Sequence, residues 1–276
     1  MTLSELFKEL LSASKRDTAR FDLTQLFDKH FGRNARIMRG AEQLSQQQQA
    51  AVKADFERLE SGYPLQYIIG EWDFFGYTFK VSPACLIPRA DTELLCEYLC
   101  KNAPKGAVFA DLCTGSGCIA IAALRERPDL RAVAVELYPE TLELARENAY
   151  LLGVSDRIEF ILGDATEDIL SGEFDMIVSN PPYVTAEEMQ DITREVEKEP
   201  RHALTDGGDG LSIIRKIIEH SPAHLKDGGT LAIEFGWKQG NAMREIANEN
   251  GLFCNILRDI EGRDRVAVIK KTEEKL

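Results

Sequence analysis

Residues 107–126 read AVFADLCTGSGCIAIAALRE, where an apolar run, a turn with two glycines and a second apolar run follow one another without a break. The first run is short and ends at residues 111–113, as a buried strand would, and the second begins a helix at Cys118. Glycine has no Cβ and tolerates positive φ, so a ligand can approach the backbone of such a turn closely. The stretch therefore predicts a strand, a ligand-binding turn and a helix.

The rest of the chain after this stretch repeats the change from strand to helix. Seven β-like runs occur in all, and they are residues 107–113, 131–136, 157–162, 174–179, 230–234, 253–258 and 265–270. Their alternation with helical segments predicts an α/β fold built on a seven-stranded sheet. Only a turn centred on residues 261–264 separates the last two runs, which suits an antiparallel hairpin at one edge of an otherwise parallel sheet.

The chain before residue 93 has a different texture. Apolar residues recur there at helical spacing, first as Leu3, Leu6, Phe7 and Leu10 and again as Val52, Phe56 and Leu59. Asp22 and Ser45 are the expected N-caps. Aromatic residues then crowd around Gly76, as in two strands joined by a tight turn. We therefore expect a helical substrate-recognition domain over residues 1–70, a β-hairpin linker over 71–92 and the α/β domain over 93–276.

Composition narrows the classes of partner. The chain has 276 residues, a formal net charge of −13 and no apolar run near the roughly 18 residues of a membrane span. The acidic balance disfavours direct nucleic-acid binding, which depends on clustered Lys and Arg. The first residues lack the basic and apolar blocks of a signal peptide, so we expect a cytoplasmic protein without membrane association. The six cysteines include no CxxC pair, and no metal site is expected.

Carboxylates follow three successive predicted strands and point to the nature of the ligand. Asp111, Glu136 and Asp164 stand at or just after these strand ends, where ligands of open α/β sheets bind. S-Adenosylmethionine carries an amino acid, a sulfonium and an adenosine but no phosphate, so carboxylates suit it. We expect Asp111 to face its amino end, Glu136 to bind the ribose and Asp164 to lie near the adenine. Residues 115–120 also match GxGxxA, so a nicotinamide cofactor is a rival.

The sequence Ser-Asn-Pro-Pro-Tyr at residues 179–183 comes directly after a predicted strand. A carboxamide nitrogen is a poor nucleophile, so an enzyme that methylates it must orient it and accept its hydrogens. The side-chain oxygen of Asn180 and the backbone carbonyl of Pro181 can each accept one N–H. Pro181 and Pro182 stiffen the turn, and Tyr183 is expected to stack on the flat amide. The motif thus predicts methylation of a planar, amide-type nitrogen.

Several blocks together resemble the HemK/PrmC family of peptide chain release factor glutamine N5-methyltransferases, over nearly the whole chain. They are residues 63–70, 75–76, 86–89, 91–93, 114–117, 180–183, 199–204 and 207–211. The resemblance implies a Rossmann-like class I methyltransferase fold, S-adenosylmethionine as methyl donor with S-adenosylhomocysteine as product, and a monomer. The implied substrate is the glutamine of the Gly-Gly-Gln motif of class 1 release factors.

The resemblance also implies roles for particular residues. The catalytic and substrate-binding positions are Asn180, Pro181, Pro182 and Tyr183; the cofactor positions are Thr114, Gly115, Ser116, Gly117, Glu136 and Asn180, with Asp164 matching less directly. Asp111, from the strand-end pattern, and Cys113, from its place in the turn, complete the predicted cofactor residues. The chain departs from the family pattern where Cys113 replaces a usual glycine, residues 90–91 replace Pro-Glu and Glu136 replaces an aspartate. We expect altered contacts there rather than lost activity.

Three further functions are compatible with parts of this pattern. A glutamine methyltransferase of a ribosomal protein would share the motif and the fold. An adenine N6-methyltransferase of nucleic acid meets the same planar-nitrogen problem, but base flipping demands a positive groove that an acidic chain does not favour. A non-enzymatic binder of a translation factor would not need the Asn-Pro-Pro-Tyr loop.

Overall fold

The structure, a computed structural model, describes residues 1–272, and these fall into two units. The helical unit consists of residues 1–71 and 193–198. The sheet unit consists of residues 72–192 and the described residues from 199 onward. The chain thus leaves the sheet unit after Ile192 and returns to it at Glu199.

The helical unit contains five helices: α1 (Leu3–Ala13), α2 (Ala19–Phe31), α3 (Ala35–Met38), α4 (Gln46–Glu60) and α5 (Leu65–Ile69). The two predicted apolar series are buried in one core, which confirms the periodicity. Ser45 caps α4 as predicted, because its hydroxyl accepts a hydrogen bond from the Gln48 N–H. The prediction that Asp22 is an N-cap is wrong. Asp22 lies inside the first turn of α2, where its carboxylate binds the Arg16 guanidinium at 2.7 Å instead.

A small hairpin follows the helical unit, with strands β1 (Glu71–Phe74) and β2 (Tyr77–Lys80). Phe75 and Gly76 form its turn with φ of 52° and 78°. Two successive positive φ values match the right-handed twist of a two-residue hairpin. The predicted tight turn around Gly76 is therefore confirmed.

The main sheet of the sheet unit has seven strands: β3 (Val108–Leu112), β4 (Arg131–Glu136), β5 (Ile158–Leu162), β6 (Phe174–Ser179), β7 (Leu225–Glu234), β8 (Phe253–Arg258) and β9 (Asp264–Lys270). Their order is β5-β4-β3-β6-β7-β9-β8, and β9 runs antiparallel to both of its neighbours, β7 and β8. The seven predicted runs and the antiparallel hairpin at one edge are confirmed. Strand β7 begins at Leu225 rather than Thr230, because Leu225 pairs with Phe174 before the register shifts.

Five helices flank this sheet: α6 (Glu93–Asn102), α7 (Cys118–Glu126), α8 (Pro139–Leu151), α9 (Ser212–His220) and α10 (Gly240–Glu249). The strand order reverses direction between β3 and β6, which are adjacent and in register from Phe109 opposite Met176 to Leu112 opposite Ser179. The Ser179 hydroxyl donates to the Leu112 carbonyl at 2.7 Å. The turns that follow β3 and β6 therefore leave the same edge side by side, at the point where open α/β sheets bind ligands.

Candidate active site

The turn after β3 depends on backbone conformations that side chains disfavour. Cys113, Gly115 and Gly117 all have positive φ, at 59°, 58° and 80°. The Thr114 N–H donates to the Val135 carbonyl at 3.0 Å, which ties the turn to β4. A Cβ added at Gly115 would meet no protein atom within 4 Å. The backbone at Gly115 is consequently open to a ligand.

Asp111 holds this turn from behind. Its carboxylate is fully buried and accepts a hydrogen bond from the Thr114 hydroxyl at 2.6 Å. Burial raises the pKa of Asp111 to about 7, although bonding by the Thr114 hydroxyl and the Ala120 N–H acts in the opposite direction. The cavity described next does not include Asp111 in its wall. Asp111 thus holds the turn through Thr114; its Oδ1 has no hydrogen-bond partner among the described residues, and its contact with the ligand's amino end stays a prediction.

A cavity of about 250 Å³ lies where the turns after β3 and β6 meet. The predicted residues that line it are Cys113, Thr114, Gly115, Ser116, Glu136, Asp164, Asn180 and Pro182. Three other predicted residues, Gly117, Pro181 and Tyr183, lie outside its wall. A Cβ at Gly117 would come within 2.6 Å of Ile121 and 3.3 Å of Ala145, so this glycine lets helix α7 pack closely.

Glu136 stands at the end of β4 with its carboxylate oriented by backbone donors. Oε2 accepts from the Gly115 N–H at 3.0 Å, and Oε1 accepts from the Tyr138 N–H at 3.1 Å. Burial raises the pKa of Glu136, while these N–H groups act to lower it. Each carboxylate oxygen has further acceptor capacity, so Glu136 can bind a pair of vicinal hydroxyls.

Asp164 follows β5 and also lines the cavity. Its Oδ1 accepts from the N–H and the hydroxyl of Thr166, at 2.8 and 2.7 Å. Apolar side chains of Leu137, Tyr138 and Ile213 complete this part of the wall. A carboxylate beside apolar surface suits a flat heterocycle that carries an amino group.

These features fit S-adenosylmethionine. The open backbone at Gly115 leaves room that a Cβ would occupy. The hydroxyl of Ser116 is buried on the cavity wall without a hydrogen-bond partner among the described residues. Buried polar atoms are normally paired, so this hydroxyl is available to a polar part of the ligand. The carboxylates of Glu136 and Asp164 line the pocket and suit the ribose and the sulfonium, while the guanidinium of Arg89 in the same wall is paired with Glu199.

The Asn-Pro-Pro-Tyr turn after β6 is held by side chains from distant parts of the chain. Asn180 Nδ2 donates to the Thr92 hydroxyl oxygen at 3.0 Å. The Tyr183 hydroxyl donates to Glu234 Oε1 at 3.0 Å, and burial raises the pKa of Tyr183. The Gln239 amide donates to the Tyr183 carbonyl at 3.1 Å. The turn therefore cannot move independently of α6, β7 and α10.

The loop before α9 supports the same turn. Asp206 accepts hydrogen bonds from the N–H groups of Gly208 and Gly210, at 2.8 and 3.0 Å. A Cβ at Gly210 would lie 2.0 Å from the Tyr183 carbonyl oxygen. Only glycine permits this close approach, so residues 206–210 form a rigid backing for Tyr183.

A buried carboxylate that sequence reasoning did not assign, Glu199, supports a residue of the cavity wall, Arg89. Glu199 accepts from the Ile87 N–H at 3.1 Å and forms an ion pair with Arg89. Nearby, the rings of Tyr138 and His202 stack with centroids 3.7 Å apart. Residues 86–89 and 199–204 both belong to blocks that resemble the family, but the sequence analysis predicts no role for the residues in them. Glu234 could also have been found from the sequence, because it is a carboxylate at a strand end like Glu136.

Two negative findings apply to residues 1–272. No group of His, Cys, Asp and Glu within them could hold a metal ion. None of their helices is long and apolar enough to cross a membrane.

A sheet of this strand order, with a glycine turn and an Asn-Pro-Pro-Tyr turn sharing one cavity at its switch point, defines a Rossmann-like class I methyltransferase. Solved structures support the fold. A methyltransferase from Pyrococcus furiosus superposes with a TM-score of 0.55 at 19% identity, covering 82% of this chain and 98% of its own. The ribosomal protein L11 methylase of Lactobacillus delbrueckii subsp. bulgaricus gives 0.50 at 24% identity, with 67% and 81% covered.

Sequence comparison identifies the family within this class. Residues 3–70 match the PrmC N-terminal domain and residues 89–215 match the methyltransferase small domain. The release factor glutamine methyltransferase of Neisseria gonorrhoeae is 36% identical over 96% of this chain and 97% of its own. That of Bacillus subtilis is 35% identical over 95% of both chains, and that of Cereibacter sphaeroides 42% over 74% and 73%. The chain belongs to the family of release factor glutamine methyltransferases, which confirms the resemblance.

Proposed function

We propose that this protein transfers the methyl group of S-adenosylmethionine to the side-chain amide nitrogen (N5) of a glutamine in a peptide chain release factor. The glutamine is that of the Gly-Gly-Gln motif of class 1 release factors, and S-adenosylhomocysteine is the second product. The observation that carries the proposal is that Asn180 lines the same cavity as the glycine turn after β3. The amide acceptor and the cofactor cradle therefore face one space. The names of the relatives support the choice of substrate.

The residues of the cavity divide into two groups by the part of the reaction they serve. When bound, S-adenosylmethionine supplies an electrophilic methyl on a sulfonium. Glu136, Ser116 and the open backbone of Gly115 hold that ligand, with Cys113, Thr114 and Asp164 beside them. Asn180 stands at the other turn, where its amide can receive the substrate.

An amide nitrogen attacks only when its lone pair is freed from conjugation with its carbonyl, so positive charge develops on its hydrogens. Asn180 donates through Nδ2 to Thr92, and no hydrogen bond within residues 1–272 engages its Oδ1. Oδ1 can thus accept one N–H of the substrate. We place the second N–H on the carbonyl of Pro181, and proline at both positions removes competing backbone donors. Fixed acceptors of this kind stabilise charge as it develops.

The partner and the setting follow from the same proposal. A release factor is the protein substrate, direct binding of nucleic acid is not required, and the enzyme works as a cytoplasmic monomer. Tyr183, whose hydroxyl is turned to Glu234, contributes its ring as a surface beside the substrate amide.

A methylation assay tests the proposal. Purified protein is incubated with radiolabelled S-adenosylmethionine and a release factor carrying Gly-Gly-Gln, or the same factor with that glutamine changed to alanine. Mass spectrometry then locates the label. We expect label on the glutamine of the first substrate only. Absence of label on both, with cofactor binding demonstrated, would refute the release-factor assignment and direct the search to ribosomal proteins and then to adenine in DNA.

Asn180→Ala is the matching enzyme variant. It should lower the rate by about 10²–10³, as removal of one oriented charge-stabilising group does elsewhere. Asn250→Ala is its control, because the Asn250 amide only caps α10 by donating to the Ile246 carbonyl at 2.8 Å. Equal rates for the two variants would show that Asn180 has no special role.

A further inference from the structure

The proposed role of Asn180 depends on which way its side-chain amide is oriented. A carboxamide has an acceptor oxygen on one side and a donor NH₂ of nearly the same shape on the other. Only one orientation presents the oxygen to a substrate N–H. In the structure, Nδ2 is bonded to the Thr92 hydroxyl oxygen at 3.0 Å. That bond requires the Thr92 proton to point elsewhere, since a hydroxyl that donated to Asn180 would favour the opposite orientation.

Glu234 lies beside Thr92 and can take that proton. Its side chain is fully buried, and Thr92 is only 2% exposed. Oε1 accepts from the Tyr183 hydroxyl at 3.0 Å, while no described residue is within ordinary hydrogen-bond geometry of Oε2. Burial raises the pKa of Glu234 to about 6, and the neighbouring Thr92 and Tyr183 hydroxyls act to lower it, which places the Thr92 hydroxyl close to the carboxylate. An ionised carboxylate can only accept hydrogen bonds.

We infer that Glu234 and Thr92 are positioning residues that fix the orientation of the Asn180 amide. The Oε2 of Glu234, unpaired among the described residues, is the acceptor that we assign to the Thr92 hydroxyl. Thr92 must then accept from Asn180 Nδ2, which leaves the Asn180 oxygen facing the cavity. The same carboxylate holds Tyr183, so both ends of the Asn-Pro-Pro-Tyr turn are anchored to one group. This inference rests on the proposed function, in which the Asn180 oxygen accepts a substrate N–H.

The groups around Glu234 favour its ionised form at neutral pH. The titratable side chains that act on it are Tyr183, Arg265 and Asp91. Arg265 is 6% exposed, and its guanidinium contacts the Asp91 carboxylate at 3.0 Å. Its positive charge lowers the pKa of Glu234, against the burial and Asp91 that raise it. A buried carboxylate contributes little to stability. We therefore attribute the presence of Glu234 at this position to its effect on the orientation of the Asn180 amide.

Two substitutions of Thr92 separate a hydroxyl role from a packing role. Thr92→Val keeps the shape and removes the hydroxyl, whereas Thr92→Ser keeps the hydroxyl and removes a methyl group. If Thr92 orients Asn180, the valine variant should lose at least about 10-fold in rate at saturating cofactor, and the serine variant should retain most of the rate. If Thr92 only fills space, valine should be the better replacement. That reversed order would overturn the inference.

Thr230→Val is the matched control for loss of a buried threonine hydroxyl. Thr230 is 7% exposed on β7, the strand of Glu234, and its hydroxyl bonds Tyr98 away from the cavity. It should keep the wild-type rate. A similar loss in Thr230→Val and Thr92→Val would mean that any buried hydroxyl on this side of the sheet matters equally, which contradicts the inference.

Glu234→Gln tests whether Glu234 fixes the orientation of the Asn180 amide. A glutamine can donate its NH₂ to Thr92, which then donates to the Asn180 oxygen and turns the Asn180 amide around. We expect a rate loss of at least about 10-fold with cofactor affinity within about twofold of wild type, since Glu234 does not line the cavity. The wild-type rate should also fall as pH drops through about 6, where Glu234 becomes a donor. An unchanged rate and pH profile in Glu234→Gln would refute the role.

A spectroscopic readout keeps the inference testable if the proposed function fails. In protein labelled with ¹⁵N-asparagine, the NH₂ signal of Asn180 is identified by its loss in Asn180→Asp. Its hydrogens should exchange slowly in wild type and Thr92→Ser and faster in Thr92→Val. Wild-type protein that methylates no glutamine would refute the proposed function alone. Equal exchange in the serine and valine variants would refute the Thr92 contact alone.

Discussion

The turns after β3 and β6 line one cavity but are built on opposite principles. The turn over residues 113–117 is shaped by its own backbone, with positive φ at three of its five residues. The turn over residues 180–183 contains no positive φ and two prolines, and it is held by side chains from Thr92, Glu234 and Gln239. The first turn depends mainly on its own backbone conformation, with bonds to β4 beside it, and the second depends on side chains from distant parts of the chain.

The difference corresponds to what each turn does. A cradle for a cofactor needs close approach to backbone, which glycine supplies wherever the strand and helix meet. A turn that aims an amide oxygen needs a fixed side chain, and a single asparagine cannot fix itself. Its orientation must be imposed by neighbours whose own rotamers are locked. Changes to the residues that hold the turn over residues 180–183 should therefore lower the methylation rate. Changes to the turn over residues 113–117 should lower the stability of the protein or its affinity for the cofactor.

Of the variants compared below, Gly210→Ala should produce the largest effect, because it displaces the turn over residues 180–183 without changing any of its residues. The new Cβ would lie 2.0 Å from the Tyr183 carbonyl oxygen, at a φ of 73°. Tyr183 must move by about 1 Å, and a misplacement of that size can lower a rate about 100-fold. Steady-state methylation with saturating cofactor measures it.

Gly207→Ala is the control for that prediction. Gly207 has a φ of 81° in the same loop, but a Cβ there would meet nothing within 4 Å. Gly207→Ala should only strain the backbone, which should lower the unfolding free energy by about 1–2 kcal/mol. If both variants lose rate equally, the loop acts through its backbone conformation and not through the contact with Tyr183.

The glycine turn should respond differently at its two glycines. Gly117→Ala adds a Cβ within 3.3 Å of Ala145 at a φ of 80°, so it should lower the unfolding free energy by about 2–3 kcal/mol. Gly115→Ala meets open space, so it should cost less stability but weaken binding of S-adenosylmethionine. Urea unfolding and isothermal titration calorimetry distinguish the two effects. Unchanged cofactor affinity in Gly115→Ala would mean that the cofactor does not occupy the space beside Gly115.

The same contrast explains how far the sequence could be interpreted. Helix and strand positions followed from local periodicity, and the glycine turn followed from a contiguous run that includes Cys113 and Gly117. Asp111 was found by its position at a strand end, but its burial behind the turn is not visible in such a pattern. Thr92 and Glu234 lie 88 and 54 residues from Asn180 in the chain, so only the folded sheet brings them together.

Asp111→Asn should remove part of the pH dependence of stability. The pKa of Asp111 is about 7 in the folded protein because of burial, and about 3.9 when unfolded. Between these values the folded state binds more protons, so the unfolding free energy falls as pH rises and levels off above about 7. The slope due to one group is at most about 1.4 kcal/mol per pH unit.

Urea unfolding at pH 5, 6, 7 and 7.5 measures that slope in wild type and in Asp111→Asn. Glu234, another buried carboxyl with a raised pKa, titrates in both proteins and cancels in the difference. Glu136 is coupled to Asp111 by charge, so part of its titration remains in the difference. We expect the variant to have the flatter profile. Parallel profiles would show that Asp111 is ionised throughout, and the buried-acid account of this turn would be wrong.

Cys113→Gly should have the smallest effect and the opposite sign. Cys113 occupies a φ of 59°, where a side chain costs about 1–2 kcal/mol relative to a right-handed conformation. Glycine removes that strain but gives the unfolded chain more freedom, worth about 0.5–1 kcal/mol. The net result is a gain of about 0.5 kcal/mol or slightly more. Cys254→Gly, in strand β8, lacks the strain and should lose stability instead. A gain in the first and a loss in the second would show that the backbone conformation at residue 113 favours glycine there.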